Sequence, residues 1–244
     1  MERHIKRLRL AHAANVRDLG GYETDGGGIT RWNTLYRAGD LSRADENDWE
    51  KMEESGIKTI LDLRSVSELR TNPDRPPQGI VWYHMPLQTE DIDLGHLEES
   101  AGAAFMKSLR EGYLAMAGQN TGLLAAALGQ LTRSLCDGAV LFHCSAGKDR
   151  TGVLASAVLW LCGVDRKDII ADYEVSFTYN QGGLNAIADN LPDRDRFMPL
   201  LRSDAENMER LLDFYQEFGL AHRLEENGFT ADEQRRLRER MVQL

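Results

Sequence analysis

The chain has 244 residues, of which 42% are hydrophobic and 28% charged, a mix that supports a sizeable core and excludes disorder as the overall state. Lys+Arg number 29 against 39 Asp+Glu, and the net charge of −10 argues against a general binder of nucleic acid or of an anionic membrane, so an anionic substrate needs a local positive site. Three cysteines are too few, and odd in number, for a disulfide framework, which points to a reducing, cytoplasmic setting.

Residues 1–12 read as a basic arm with Arg3, Lys6, Arg7 and Arg9 and some helical character. No continuous apolar run follows it, so no export signal is predicted. Residues 15–22 (NVRDLGGY) make a compact polar and glycine segment. Asp25-Gly26-Gly27-Gly28 is a turn whose flanks can pair as a hairpin. A short strand is expected over 35–38, then a helix over 44–55 with Trp49 and Met52 inward and Gly56 ending it. Residues 57–63 (IKTILDL) read as a buried strand, and 80–85 as another bounded by Pro76, Pro77 and Pro86. An acidic loop over 86–102 precedes helices over 103–117 and 123–135. A short buried strand over 139–142 leads through a polar loop to a strongly apolar helix over 151–162. The apolar run around that helix is shorter than the roughly 20 residues a membrane span needs, so no integral membrane segment is predicted. A helix over 166–177 is followed by Gly182-Gly183 and Pro192 as breakers, and 178–203 reads as a candidate lid. Amphipathic helices over 204–218 and 230–242 complete the chain, the second opened by a capping box of Thr230 and Glu233. No repeat or linker divides the sequence, so one domain over 1–244 is expected. The alternation predicts an α/β fold, a central mainly parallel sheet flanked by helices, with more antiparallel edge pairing near residues 20–40 as the runner-up.

The chemistry concentrates in residues 140–152, VLFHCSAGKDRTG. A strand runs into Cys144, a polar loop follows, and an apolar helix begins. Amides of a tight loop converge on one point, and the helix start adds partial positive charge, so the segment reads as an anion cradle. Arg150 supplies a planar fork that matches two phosphate oxygens, and Gly147 lets the loop turn sharply. The same field favours the thiolate of Cys144, an in-line nucleophile beneath a bound phosphate. Thr151 is placed to donate its hydroxyl to that sulfur.

His143-Cys144-x-x-Gly147-x-x-Arg150-Thr151 resembles the signature loop of the cysteine-dependent protein tyrosine and dual-specificity phosphatases. The fuller run HCSAGKDRTG is similar to their bacterial tyrosine/serine branch, as are NVRDLGG from Asn15, LYRAG from Leu35, and DLRS from Asp62 with Glu68. The resemblance spans about residues 13–180. It implies a single cysteine-phosphatase-like domain: a phosphomonoesterase needing no metal or other cofactor and working through a cysteinyl-phosphate on Cys144. It places Ser145, Ala146, Gly147, Lys148, Arg150 and Thr151 around the phosphate, and implies a phosphorylated protein or a phosphoinositide as substrate. Lys148 would add charge for a polyanionic head group. No Trp-Pro-Asp motif precedes the cysteine, so the resemblance makes Asp149 the general acid, with Asp62, Asp91, Asp93 and Asp193 as alternatives.

Around this set, His143 reads as a residue that shapes the loop. Arg17, Asp18, Arg37, Asp62 and Arg64 are expected to form a buried ion-pair network that holds the cradle, since unpaired buried charge is costly. Cys162 reads as a core thiol and Cys136 as a candidate disulfide partner for Cys144. The six histidines show no metal-ligand spacing. Two competing readings of the loop are a sulfur- or arsenate-transfer enzyme and a non-catalytic phosphate-binding module.

Overall fold

In chain order the elements are β1 (Arg17–Asp18), β2 (Ile29–Thr30), β3 (Leu35–Ala38), α1 (Glu46–Glu54), β4 (Ile57–Asp62), α2 (Val66–Thr71), β5 (Val81–His84), α3 (Ala103–Ala117), α4 (Thr121–Ser134), β6 (Ala139–His143), α5 (Asp149–Leu161), α6 (Arg166–Ala188), α7 (Ala205–Phe218), α8 (Leu220–Glu226), α9 (Ala231–Met241) and β7 (Val242–Gln243). They come from a computed structural model that describes residues 4–88, 103–188 and 202–244.

The main sheet has the order β1-β3-β6-β4-β5, parallel except for β1, which runs antiparallel to β3 along the edge. The continuous apolar runs of β4 and β6 suit strands covered on both faces. Alternation along β6 sends Val140 and Phe142 into a core with Leu35, Leu61 and the apolar faces of α3, α4 and α5. Ala139 and Leu141 face the other way, against Ile60 and against Trp49 and Met52 of α1. The register sets Ala38, Asp62 and His143 side by side, so three parallel strands end on one line. The residues after those ends meet at the carboxyl edge of the sheet, where open α/β folds place their sites.

Several expectations shift. Residues 4–12 form no helix; the arm is extended, with Arg7 bridging to Arg17. The hairpin around the 25–28 turn does form, with Glu23 bridging to Ile29. A second, two-stranded sheet pairs β2 with β7. Helix α6 runs straight through Gly182 and Gly183 to Ala188, because two glycines weaken a helix without breaking it when the turns on either side are favourable. The candidate lid over 178–203 therefore begins as helix, and its remainder from 189 to 201 lies outside the described residues, as do Asp91, Asp93, Pro192 and Asp193. Helices α2 and α8 are additions to the sequence reading. Among the described residues no helix is long and apolar enough to cross a membrane.

Candidate active site

Strand β6 delivers Cys144, 2% exposed, to the base of a loop that closes at Asp149, the first residue of α5. The Ser145, Ala146 and Gly147 carbonyls of this loop are taken by partners outside it. The Asp40 amide donates to the Ser145 carbonyl at 2.9 Å. Asn15 Nδ2 donates to the Ala146 and Gly147 carbonyls at 3.1 and 2.9 Å, and Asn180 Nδ2 to Ala146 at 2.8 Å. Arg37 Nη2 donates to Gly147 at 2.9 Å. A trans peptide sets each C=O opposite the next N–H, so these outward carbonyls turn the amides of Ala146, Gly147 and Lys148 to the inner side of the loop. That is the arrangement of an anion nest leading into a helix N-terminus. Gly147 has a φ of +64°, and a Cβ there would run into the Ala38 carbonyl, so the turn requires glycine.

Two buried charge networks hold this loop in place. In the first, Asp172 of α6 pairs with Arg17 Nε at 2.9 Å and Arg37 Nη1 at 2.6 Å, while Tyr22 also donates to its carboxylate. Burial works to raise the Asp172 carboxyl, but the Arg17 and Arg37 charges outweigh it and hold it well below the usual range. Burial, with Arg17 beside it, brings Arg37 down to about 10. Arg17 also reaches the Asn15 side chain at 2.5 Å, which aims that amide at the loop. Asp18, expected in this network, instead caps the amides of Gly20 and Asn33.

In the second network, Arg64 binds Asp62 at 2.6 Å, Asp40 at 2.6 Å and Asp74 at 2.9 Å. His143 Nε2 lies 2.8 Å from Asp74 and 3.8 Å from Asp62, and its Nδ1 is 3.3 Å from the Cys144 carbonyl. Burial works to lower the His143 imidazole, and the two carboxylates outweigh it, so it is raised above its ordinary value. Asp62, Asp74 and His143 lie close enough together to hold a cation, as do His12, Asp45 and Asp48; the spacing in sequence reveals neither group. At the first, the Arg64 guanidinium already supplies the positive charge. Asp62 is buried and committed to Arg64, which removes it from the candidates for a proton donor.

The residues that close the loop are Lys148, Asp149, Arg150 and Thr151. Arg150 forks onto Glu68 of α2 and reaches the Ser145 hydroxyl at 3.2 Å. Burial works to lower the Arg150 guanidinium, and Glu68 outweighs it and raises it. Lys148 is not a solvated loop residue: it is 4% exposed, donates to the Arg202 carbonyl at 3.0 Å and lies 3.5 Å from Asp149. The Asp149 carboxylate is part-exposed and accepts a hydrogen bond from the Tyr113 hydroxyl. The Thr151 hydroxyl is buried, and among the described residues it has no partner, Cys144 included.

Cys162 is buried in the core, where burial pushes its thiol up to about 12. Cys136 precedes β6 and Cys144 follows it. Five strand residues at about 3.3 Å each set the two backbones on the order of 16 Å apart, beyond the reach of the candidate disulfide, and both cysteines are free. Sequence reasoning missed Asp74 and Asp172 as partners. The signal that could have found them is an excess of buried arginine near the loop, which demands carboxylates from elsewhere.

The chain is similar to several known proteins. A "Tyrosine-protein phosphatase" of Nostoc commune is 33% identical over 153 residues, 62% of this chain and 50% of that one. The "Triple specificity protein phosphatase PtpB" of Mycobacterium tuberculosis is 31% identical over 190 residues, 67% of each chain. The structure of the Siw14 catalytic core is similar over 95% of this chain and 98% of that one, at 15% identity and a TM-score of 0.43. The chain spans about half the length of the Nostoc relative. Residues 8–243, a span that includes the loop, match the model of the tyrosine phosphatase family, and the chain belongs to that family.

Proposed function

We propose that this chain hydrolyses phosphate monoesters on proteins, phosphotyrosine above all, by thiolate chemistry at Cys144 with no metal. The observation that carries this reading is the loop itself: Cys144 at its base, three inward amides, Arg150 at its closing end and a helix N-terminus behind it. The phosphate dianion sits in the nest with Arg150 across two oxygens. Cys144 Sγ attacks phosphorus as the bond to the leaving oxygen breaks, and Asp149 gives that oxygen its proton. Water then attacks the cysteinyl-phosphate, Asp149 takes the water's proton, and the sulfur leaves as thiolate. The Thr151 hydroxyl, without a partner among the described residues, is suited to steady that thiolate. The three free cysteines suit a reducing, cytoplasmic setting.

The test is phosphate release in chelator by wild type and Cys144→Ser, offered a phosphotyrosine peptide, a phosphothreonine peptide and a short-chain phosphoinositide. Turnover that vanishes in the variant supports the reading, and the ranking fixes the substrate class, Lys148 being the residue to probe if the inositide leads. No turnover on any of the three rejects it, and persulfide on Cys144 or phosphate binding without turnover would then favour the two other readings of the loop.

A further inference from the structure

Asp149 does not stand alone at the mouth. Its Oδ1 accepts from the hydroxyl of Tyr113, and Lys148 Nζ lies 3.5 Å from the same oxygen. Among the described residues, its Oδ2 takes no hydrogen bond. Tyr113, on α3, is fully buried, and its hydroxyl is 2.7 Å from that of Tyr173 on α6, equally buried, with the two rings edge to face at 6.1 Å. Tyr173 follows Asp172 directly. Adjacent residues of α6 thus serve the loop carbonyls through Arg37 and the candidate proton donor through Tyr113.

Counting protons shows what such a pair can do. Each phenol has one hydrogen to donate and lone pairs to accept with. With Asp149 ionised, Tyr173 donates to Tyr113 and Tyr113 to the carboxylate. With Asp149 protonated on Oδ2, Tyr113 still donates to Oδ1, so the proton stays on the oxygen turned away from the phenol and no heavy atom moves. Burial and the Asp149 charge raise the Tyr113 phenol well above its ordinary value, so it stays a donor.

We infer that Tyr113, backed by Tyr173, is a positioning residue for the proton transfer: it occupies Oδ1 of Asp149 and presents Oδ2 to the leaving oxygen. This rests on the reading of Asp149 given above. It has a consequence that simple packing lacks. Proton donation matters for a poor alkyl leaving group and little for p-nitrophenolate. A hydrogen bond to an ion is also stronger than one to a neutral acid, so a carboxylate that loses its donor holds its proton to higher pH.

The test compares kcat/KM for a phosphothreonine peptide and for p-nitrophenyl phosphate across pH, in wild type, Tyr113→Phe, Tyr173→Phe, Asp149→Asn and the double variant Asp149→Asn/Tyr113→Phe. Phe keeps each ring, and a thermal melt checks folding. Tyr113→Phe is expected to lose about ten times more on the peptide than on the aryl ester and to move the alkaline limb of the peptide profile to higher pH. Tyr173→Phe is expected to do the same more weakly, and the double variant to be no worse on the peptide than Asp149→Asn. Equal losses on both substrates, or an unmoved limb, would overturn the inference while leaving the acid intact. If Asp149→Asn itself loses no more on the peptide than on the aryl ester, the reading of Asp149 falls and the inference with it.

Discussion

Glu68 grips both ends of the Arg150 guanidinium, Oε2 on Nη1 at 2.5 Å and Oε1 on Nη2 at 2.9 Å. The same carboxylate accepts the Ser65 amide to close the capping box of α2 and takes the Ser145 hydroxyl. One acid therefore ties α2, the loop and the first turn of α5 together. Burial works to raise its carboxyl, and Arg150 and Ser145 outweigh that and hold it well below the usual range.

Glu68→Gln keeps the shape and removes the charge that fixes the fork. Activity on a phosphotyrosine peptide is expected to fall about tenfold in kcat/KM, roughly 1.4 kcal/mol of transition-state stabilisation. An unchanged or increased kcat/KM would mean that Glu68 competes with phosphate for Arg150 and does not orient it.

Asp172→Asn leaves Arg17 and Arg37 buried without a counter-charge. The expected loss is about 3–5 kcal/mol, read from the denaturant midpoint. The pH dependence carries a sign. The folded carboxyl is depressed, so its contribution is complete above the unfolded value near about 4 and is lost as pH falls through the folded value. The stability gap between wild type and variant should therefore narrow on acidification; a gap that widens would contradict the pairing.

His143 has the opposite sign. Its imidazole is raised in the fold, so its ion pairing contributes fully below the unfolded value near about 6.5 and is lost as pH rises through the folded value. In Asp74→Asn the His143 resonance should titrate at lower pH than in wild type, as followed by NMR. An identical titration would show that Asp62 alone sets it.

Gly147→Ala puts a Cβ against the Ala38 carbonyl at a positive φ. The left-handed backbone alone costs an L-residue about 1–2 kcal/mol. Phosphate binding, measured by calorimetry, should drop at least tenfold, since the nest must open to admit the methyl. Full-strength binding would show that the loop re-forms around alanine.

Alkylation by iodoacetamide should separate the cysteines. Cys162, buried and with its thiol pushed up to about 12, is expected to stay unlabelled in the folded protein, while labelling at Cys144 is slowed by inorganic phosphate. Labelling of Cys144 that phosphate does not slow would place the anion elsewhere.

The strand, loop and helix around Cys144 were legible because local signals agree there: an apolar run, a glycine turn and an apolar helix in succession. So were β4 and the α9 capping box. The Asp172–Arg37 and Asp74–His143 pairs were not, because each joins segments far apart in the chain, and no local pattern says which carboxylate a buried arginine will meet. Helix α2 escaped for a different reason. Its six residues bury no side chain fully, so no apolar stripe marks it, although Ser65 and Glu68 spelled its capping box. The continuation of α6 through Gly182 shows propensity overridden by its context.

The strand that carries the cradle is also the middle of the sheet, yet it follows β3, β4 and β5 in the chain. Until residues 139–143 emerge from the ribosome, β3 and β4 have no partner between them, and each shows a bare apolar edge of the kind that pairs with other chains. Folding must therefore wait for long-range closure, which is slow. The nascent chain passes through a stage with those edges uncovered, and the insertion that ends this stage also seats Cys144.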